Sequence, residues 1–552
     1  MSKHFPGRKL SVPRLALVVL LAGALVGASF VGWGRFTDTR AAADGQSWFA
    51  GYVDATATPF YAFETPATEA GGSVVLSFIV ADPKNPCEPS WGGYYGFDDA
   101  AATMDLDRRI ARFMQEGGEV VISFGGLLND ELATSCTDVD DLVSAYRSVI
   151  ERYEVSTLDF DIEGENLKDT VAGKRRAQAV SQLQKEFRQD DKPLNVWITL
   201  PVAPTGLTEV GTTAVSQFLD ASVDLAGVNI MTMDYGASRT GTTTMFEASK
   251  QAAVSTHRQL GILYERAGIE LGPQTLWGKV GITPMIGQND VVGEVFDLDA
   301  AEKLNAFARE KGVGRMSMWS LNRDATCSAN YPDLSVVSDS CSGIDQQGRS
   351  FAEVLGNGFS GRGLTLSTAP TTSEPSATAT ATTVVDDPAT SPYPVWFEDA
   401  TYVEGDRVVW HGNVYEAKWW AKEAVPDNPV LKAEETPWQL IGPVLPGETP
   451  LPEVTVPAGT FPDWDAEITY LKGSKILFDG HAFEAKWWSK GDSPQAALQG
   501  ADSSAWSMLE DETVLQQLED GTLETSSATD GATAKTTVKP TSPAKGKDKS
   551  GD

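Results

Sequence analysis

Residues 158–164 read Leu-Asp-Phe-Asp-Ile-Glu-Gly, alternating apolar and acidic side chains with a period of two. On an extended strand that period sends Asp159, Asp161 and Glu163 to one face and Phe160 and Ile162 to the other. Three carboxyl groups stacked this way repel one another as anions, so at least one is expected to hold a proton near neutral pH. Glu163 ends the row and is the candidate general acid. Asp161 lies deeper, placed to share a proton and to hold Glu163 or a substrate amide. An alternating acidic run is also what a solvated edge strand looks like, so its meaning depends on the elements around it.

From Trp48 to about Phe359, short β-branched runs alternate with longer amphipathic stretches, the pattern of repeated βα units. Strands are predicted over 49–55, 73–81, 119–126, 157–164, 195–201, 227–235, 279–286 and 315–321. Helices are predicted over 107–115, 139–153, 174–188, 213–221, 247–267 and 299–311. This is the plan of an α/β fold, a (β/α)8 TIM barrel of about 300 residues, which gathers its functional groups at the C-terminal ends of the strands. The acid row is then strand four, facing the barrel interior. Ser123-Phe124-Gly125-Gly126 ends strand three, Met231-Thr232-Met233-Asp234-Tyr235 ends strand six, and Met318-Trp319-Ser320 lies on strand eight. Gly125 and Gly126 read as sites of barrel packing or close backbone approach. Trp319 reads equally as core or as a flat face for a sugar ring.

The 552 residues leave room for about two to four domains. A composition of 41% hydrophobic and 22% charged residues excludes wholesale disorder. The net charge of -32 repels phosphate backbones and anionic lipid, which argues against nucleic-acid or electrostatic membrane partners and leaves a neutral partner such as a sugar. The four cysteines show no C-x-x-C spacing, and with four histidines no zinc site is expected. Two disulfides are expected instead, and of the three connectivities the pairs nearest in the chain are Cys87 with Cys136 and Cys327 with Cys341. They require an oxidising compartment. Lys3, Arg8, Lys9 and Arg14 precede an apolar run over 15–34, and Ala41 to Ala43 offer small residues for cleavage. Residues 1–43 therefore read as an export signal, either cleaved or kept as a signal anchor, with the remaining chain outside the cell.

The barrel is expected over 44–360 and a Thr/Ser/Pro-rich linker over 361–392. Beyond it the chain repeats itself at a spacing of 68: Trp396 with Trp464, Tyr402 with Tyr470, Gly405 with Gly473, Trp438 with Trp506, and residues 416–420 identical to 484–488. Two small β modules are expected over 393–442 and 463–511, joined by a Pro-rich spacer over 443–462. The tail over 512–552 is expected to be disordered. Within each module, strand alternation implies that burying one Trp of the pairs Trp419-Trp420 and Trp487-Trp488 exposes its neighbour. Three carboxylates could also hold calcium or magnesium, but deep strand acids lack the loop oxygens that complete such a shell, so neither a metal nor another cofactor is expected. None of His4, His257, His411 and His481 is placed for catalysis.

The barrel region resembles glycoside hydrolase family 18, the chitinase family, in the S-x-G-G of strand three and the last three acids of D-x-x-D-x-D-x-E on strand four. Two positions depart from that pattern: Ser156 stands at the leading Asp, with Thr157 at the following Gly, and Met233 stands where Met-x-Tyr-Asp has Tyr. The Met-Asp-Tyr-Gly form is similar to a bacterial subgroup. The resemblance implies retaining, substrate-assisted hydrolysis, in which the 2-acetamido oxygen of the sugar attacks the anomeric carbon. It makes Glu163 acid and then base, Asp161 the orienter of the acetamido group, and Asp159 the residue that holds Asp161. It also implies substrate contacts from Asp234, Trp319, Tyr52, Tyr235 and Met231. The two modules resemble chitin-binding modules of families 5 and 12, with sugar contacts from Trp419, Trp420, Trp438, Trp487, Trp488 and Trp506. An exported chitinase is therefore expected, acting as a monomer on chitin or N-acetylglucosamine oligosaccharides. The alternatives are an endo-β-N-acetylglucosaminidase on other glycans and a non-catalytic chitin-binding lectin, against which an intact Glu163 argues.

Overall fold

Nine parallel strand segments close a barrel of eight positions. In order they are Trp48–Phe49 with Gly51–Asp54, Ser73–Ala81, Glu119–Gly126, Thr157–Ile162, Asn195–Ala203, Leu225–Met231, Val280–Thr283 and Arg315–Met316. The first strand closes the ring, pairing Trp48–Phe49 with Arg315–Met316 and Gly51–Asp54 with Ser73–Ala81. The computed structural model describes residues 47–66, 69–328, 336–361, 386–398, 400–428, 435–450, 455–498, 503–509 and 511–523. The leader over 1–43 and most of the linker over 361–392 lie outside these. Among the described residues, no helix is long and apolar enough to cross a membrane.

The strands run as apolar stretches because both faces are covered, by the barrel interior and by a layer of helices. Phe160, on the outward face of the acid strand, stacks on Phe124 at 5.2 Å and meets Tyr146 of the helix Val139–Tyr153 edge-on at 5.3 Å. Polar caps begin the crossover helices where the sequence places Asp or Thr. Asp138 accepts from the amides of Asp140 and Asp141, Asp169 from those of Val171 and Ala172, and Thr244 with Glu247 closes a reciprocal capping box.

The predicted strands are present, but several end early, strand seven among them at Thr283 rather than 286. The acid strand stops at Ile162, where Glu163 opens the short helix Gly164–Lys168 and Gly164 takes φ 52°. Strand six stops at Met231 rather than 235, and Asp234 adopts a left-handed backbone with φ 48°. Strand eight is regular only over Arg315–Met316, although Ser317 and Trp319 still donate to the carbonyls of Ile282 and Pro284. Both predicted disulfides are formed, Cys87 with Cys136 and Cys327 with Cys341.

The described residues after 385 belong to a second compact unit. Each copy of the repeat pairs a two-stranded with a three-stranded antiparallel sheet: Arg407–Trp410, Asn413–Ala417 and Trp438–Pro443 in one, Lys475–Phe478, His481–Ala485 and Trp506–Met508 in the other. The tail expectation is corrected at its start, where Asp511–Glu519 is a helix. Val514 is buried with Val456, Phe461, Leu477 and Ala482, so this segment does carry enough apolar surface to dock. Residues 524–552 lie outside the described set.

Candidate active site

Strand pairing builds the site from its floor. Ser123 lies opposite Asp159 and Gly125 opposite Asp161 across strands three and four, while Asp161 lies opposite Thr199 on strand five. Asp159, fully buried, accepts four hydrogen bonds: from Tyr52 Oη at 2.8 Å, Ser123 Oγ at 2.8 Å, Thr199 Oγ1 at 2.7 Å and Arg315 Nη1 at 2.7 Å. Asp161, two residues on, is also buried, and its Oδ1 has no hydrogen-bond partner. Burial, then the charges of Glu163 and Asp159, push its carboxyl well above the usual range against the pull of Arg315. Glu163 is half-buried at the strand end, and burial followed by the charge of Asp234 pushes it up to about 7.

Asp234 stands on the loop after strand six, its carboxyl raised chiefly by burial. Its Oδ1 accepts from the amide of Val291 at 2.9 Å. The loop is pinned by the buried Glu294, which accepts from the amides of Tyr235 and Gly236 and from Arg239 Nε. Trp319, partly buried after strand eight, stacks on Phe78 from strand two at 5.7 Å and 19°. A Cβ on Gly126 would meet Phe78 at 2.8 Å, and one on Gly125, at φ 103°, would overlap the carbonyl oxygen of Asp161. Both glycines therefore answer a close approach. The result is a row of acids rising from Asp159, bound by four donors, to the raised carboxyls of Asp161 and Glu163 beside an aromatic face, an arrangement able to protonate a leaving oxygen.

Several expected roles change. Tyr52 does not reach a substrate, because it is fully buried beneath the site with its hydroxyl on Asp159. Tyr235 turns away, buried in the outer core with its hydroxyl 3.5 Å from Ser249, because the strand has ended before it. Asp159 does not hold Asp161 through a hydrogen bond to its Oδ1, since that atom has no partner. Met231 is buried at its strand end and Met233 is half-buried beside Asp234. Sequence reasoning missed Arg315, Thr199, Asn229, Phe78 and Glu294. Arg315 alone carried a signal, as a charge within a run predicted to be a barrel strand.

In the modules, Trp438 and Trp506 are core rather than sugar contacts. Their indole nitrogens donate to the carbonyls of Ala424 and Asp492, and they pack on Tyr402 and Tyr470. Both members of each Trp pair are exposed, Trp419 and Trp420 at 44% and 59%, Trp487 and Trp488 at 48% and 60%. The pairs fall in bends after Ala417 and Ala485, where strand alternation no longer applies. Among the described residues, no group of three or more His, Cys, Asp or Glu is placed to hold a metal.

No protein-family model matches the chain. In sequence it is similar to the probable bifunctional chitinase/lysozyme of Escherichia coli (strain K12), 36% identical over 256 residues covering 45% of this chain and 28% of that protein. It is also similar to endochitinase 11 of Metarhizium anisopliae, 33% identical over 307 residues covering 53% of this chain and 56% of that protein. The chain thus spans little more than half of the second relative and far less of the first. Among solved structures, the catalytic domain of a hyperthermophilic chitinase from Pyrococcus furiosus aligns with a TM-score of 0.48 and 27% identity, over 57% of this chain and 95% of that one.

Proposed function

We propose that the chain is an exported glycoside hydrolase of the family 18 type that cleaves chitin and N-acetylglucosamine oligosaccharides with retention. The observation that carries this reading is the acid row at the C-terminal end of strand four, with Asp159 and Asp161 buried and Glu163 at the strand end, where burial pushes its carboxyl up to about 7. The similarity to a probable bifunctional chitinase/lysozyme and to an endochitinase supports the substrate class.

In this mechanism the acetamido oxygen of the bound sugar attacks its own anomeric carbon. The bond to the leaving oxygen breaks as Glu163 delivers its proton there, leaving a cyclic oxazolinium ion and a Glu163 carboxylate. Asp161 orients the acetamido group and stabilises that ion, and Asp234 holds the same sugar over Trp319. Water then adds to the anomeric carbon and returns a proton to Glu163. No second carboxylate at nucleophile distance is needed. The exposed pairs Trp419-Trp420 and Trp487-Trp488 serve as platforms for polymer chains. Two disulfides fit an exported protein.

The test compares wild type with Glu163→Gln on N-acetylglucosamine oligomers and insoluble chitin, with products read by mass spectrometry. Products from wild type alone are expected, with polymer binding retained by both. Turnover at the wild-type rate in Glu163→Gln would remove Glu163 from the mechanism, and binding without products from either protein would favour the lectin reading.

A further inference from the structure

Below the acid row, every barrel strand except the second sends a polar side chain into one buried cluster: Tyr52, Ser123, Asp159, Thr199, Asn229, Thr283 and Arg315. The direction of its hydrogen bonds is determined by chemistry. Thr283 Oγ1 donates to Asn229 Oδ1 at 2.8 Å, and the amide of Asn229 donates to Thr199 at 3.1 Å and to Tyr52 at 3.3 Å. Arg315 Nη2 donates to the Tyr52 oxygen at 3.1 Å. Tyr52 and Thr199 each accept one of these bonds and donate to Asp159, and their two oxygens also lie 2.9 Å from each other. With Ser123 and Arg315 Nη1, four donors converge on its two oxygens, the capacity of an ionised carboxylate. Arg315 is itself fully buried, bonded to Ser317 by Nε at 2.9 Å and enclosed by the rings of Trp48, Tyr52 and Trp197. Nothing else within the cluster is cationic.

We propose that Arg315 is a positioning residue that holds Asp159 as a fixed anion, so that the exchangeable proton of the acid row is confined to Asp161 and Glu163. The inference rests on the reading of that row as the catalytic acids. The charged or titratable groups facing Asp161 are Asp159 and Glu163 on its own strand, Arg315 from strand eight and Tyr52 from strand one, while Asp234 faces Glu163. Strands three and five bring only Gly125 and Thr199 beside it. Arg315 pulls the Asp161 carboxyl down and Asp159 pushes it up. Removing either charge should therefore move proton loss from the Asp161–Glu163 pair in opposite directions.

The experiment is the pH profile of kcat/KM on a soluble N-acetylglucosamine oligomer, measured on the full chain for wild type, Arg315→Gln, Arg315→Lys and Asp159→Asn, with folding checked by circular dichroism. The acidic limb reports the first proton to leave the coupled pair. It is expected to move up by about one pH unit in Arg315→Gln and down by about as much in Asp159→Asn. Arg315→Lys, which keeps the charge, should restore it. A cluster that merely stabilises the fold would lower activity without moving the limb, or move it the same way in both variants, and either result overturns the proposal. If Arg315→Gln does not fold, an unmoved limb in Asp159→Asn does so alone. A wild type without products would overturn the catalytic reading together with this one, whereas an active wild type with unmoved limbs overturns only this one.

Discussion

Burial of two neighbouring carboxyls has a thermodynamic consequence that activity assays do not see. A carboxyl raised in the folded state binds its proton more tightly there than in the unfolded chain. Its stabilising contribution is complete below the unfolded value and is lost as pH rises through the folded one, which for Glu163 is the window from its ordinary 4.5 to about 7. Glu163→Gln removes that loss, so its unfolding temperature should gain on wild type between pH 5 and pH 8, by the equivalent of about 1–3 kcal/mol. Parallel curves in calorimetry at the two pH values would show that Glu163 is not perturbed. The same shift predicts that turnover declines above about pH 7, as Glu163 loses the proton it must donate. At this scale the acid row was legible because the alternation of a single strand places it. Tyr52 and Tyr235 were not, because whether an aromatic faces a substrate, a buried carboxylate or a helix depends on what closes over it.

Strands position this site through the places where they stop. Glu163 stands free because its strand yields to a short helix, and Asp234 does so because its backbone turns left-handed three residues after strand six. The predicted strands ran past both points, since the acidic alternation continues to Glu163 and since Thr232 and Met233 follow Met231. Gly125 is a tight constraint within the site, as it allows strand three to lie against the Asp161 carbonyl. Gly125→Ala is expected to lower the unfolding temperature by several degrees, corresponding to about 1–3 kcal/mol of strain, and to reduce kcat more than the loss of folded protein explains. Thermal unfolding monitored beside kcat on the folded fraction checks this, and an unchanged pair of values would mean that the strands can part without cost. Alternation also misled in the modules, where the Trp pairs sit in bends and expose both rings.

For the whole molecule, the polymer-binding role proposed for the duplicated modules acts through effective concentration rather than through the chemistry of cleavage. Two weak sites on one chain bind a polymer surface more tightly than either alone, without a new contact. Replacing Trp420 and Trp488 together with Ala should therefore weaken retention on insoluble chitin by about 10-fold or more, while kcat/KM on short soluble oligomers stays unchanged. Because Trp419 and Trp487 are also exposed, full loss is expected only when both pairs are replaced. Pull-down on chitin beads measures the first effect and oligomer kinetics the second. Unchanged retention after removal of all four rings would leave the modules a purely structural duplication.

The sequence by itself determined the eight-strand order, the acid row and the repeat, because each rests on local period or spacing, whereas the disulfide pairing, left among three connectivities, was decided by the structure. Only the tertiary structure decided that Asp159 is bound by four donors from four different strands, that Arg315 is the cation beneath it, and that Phe78 widens the aromatic face under Trp319. Those contacts join residues as far apart as 52 and 315, and barrel closure is what brings them together. A linear pattern carries the direction in which a side chain leaves its strand, whereas its partner is chosen by the curvature that closes the ring.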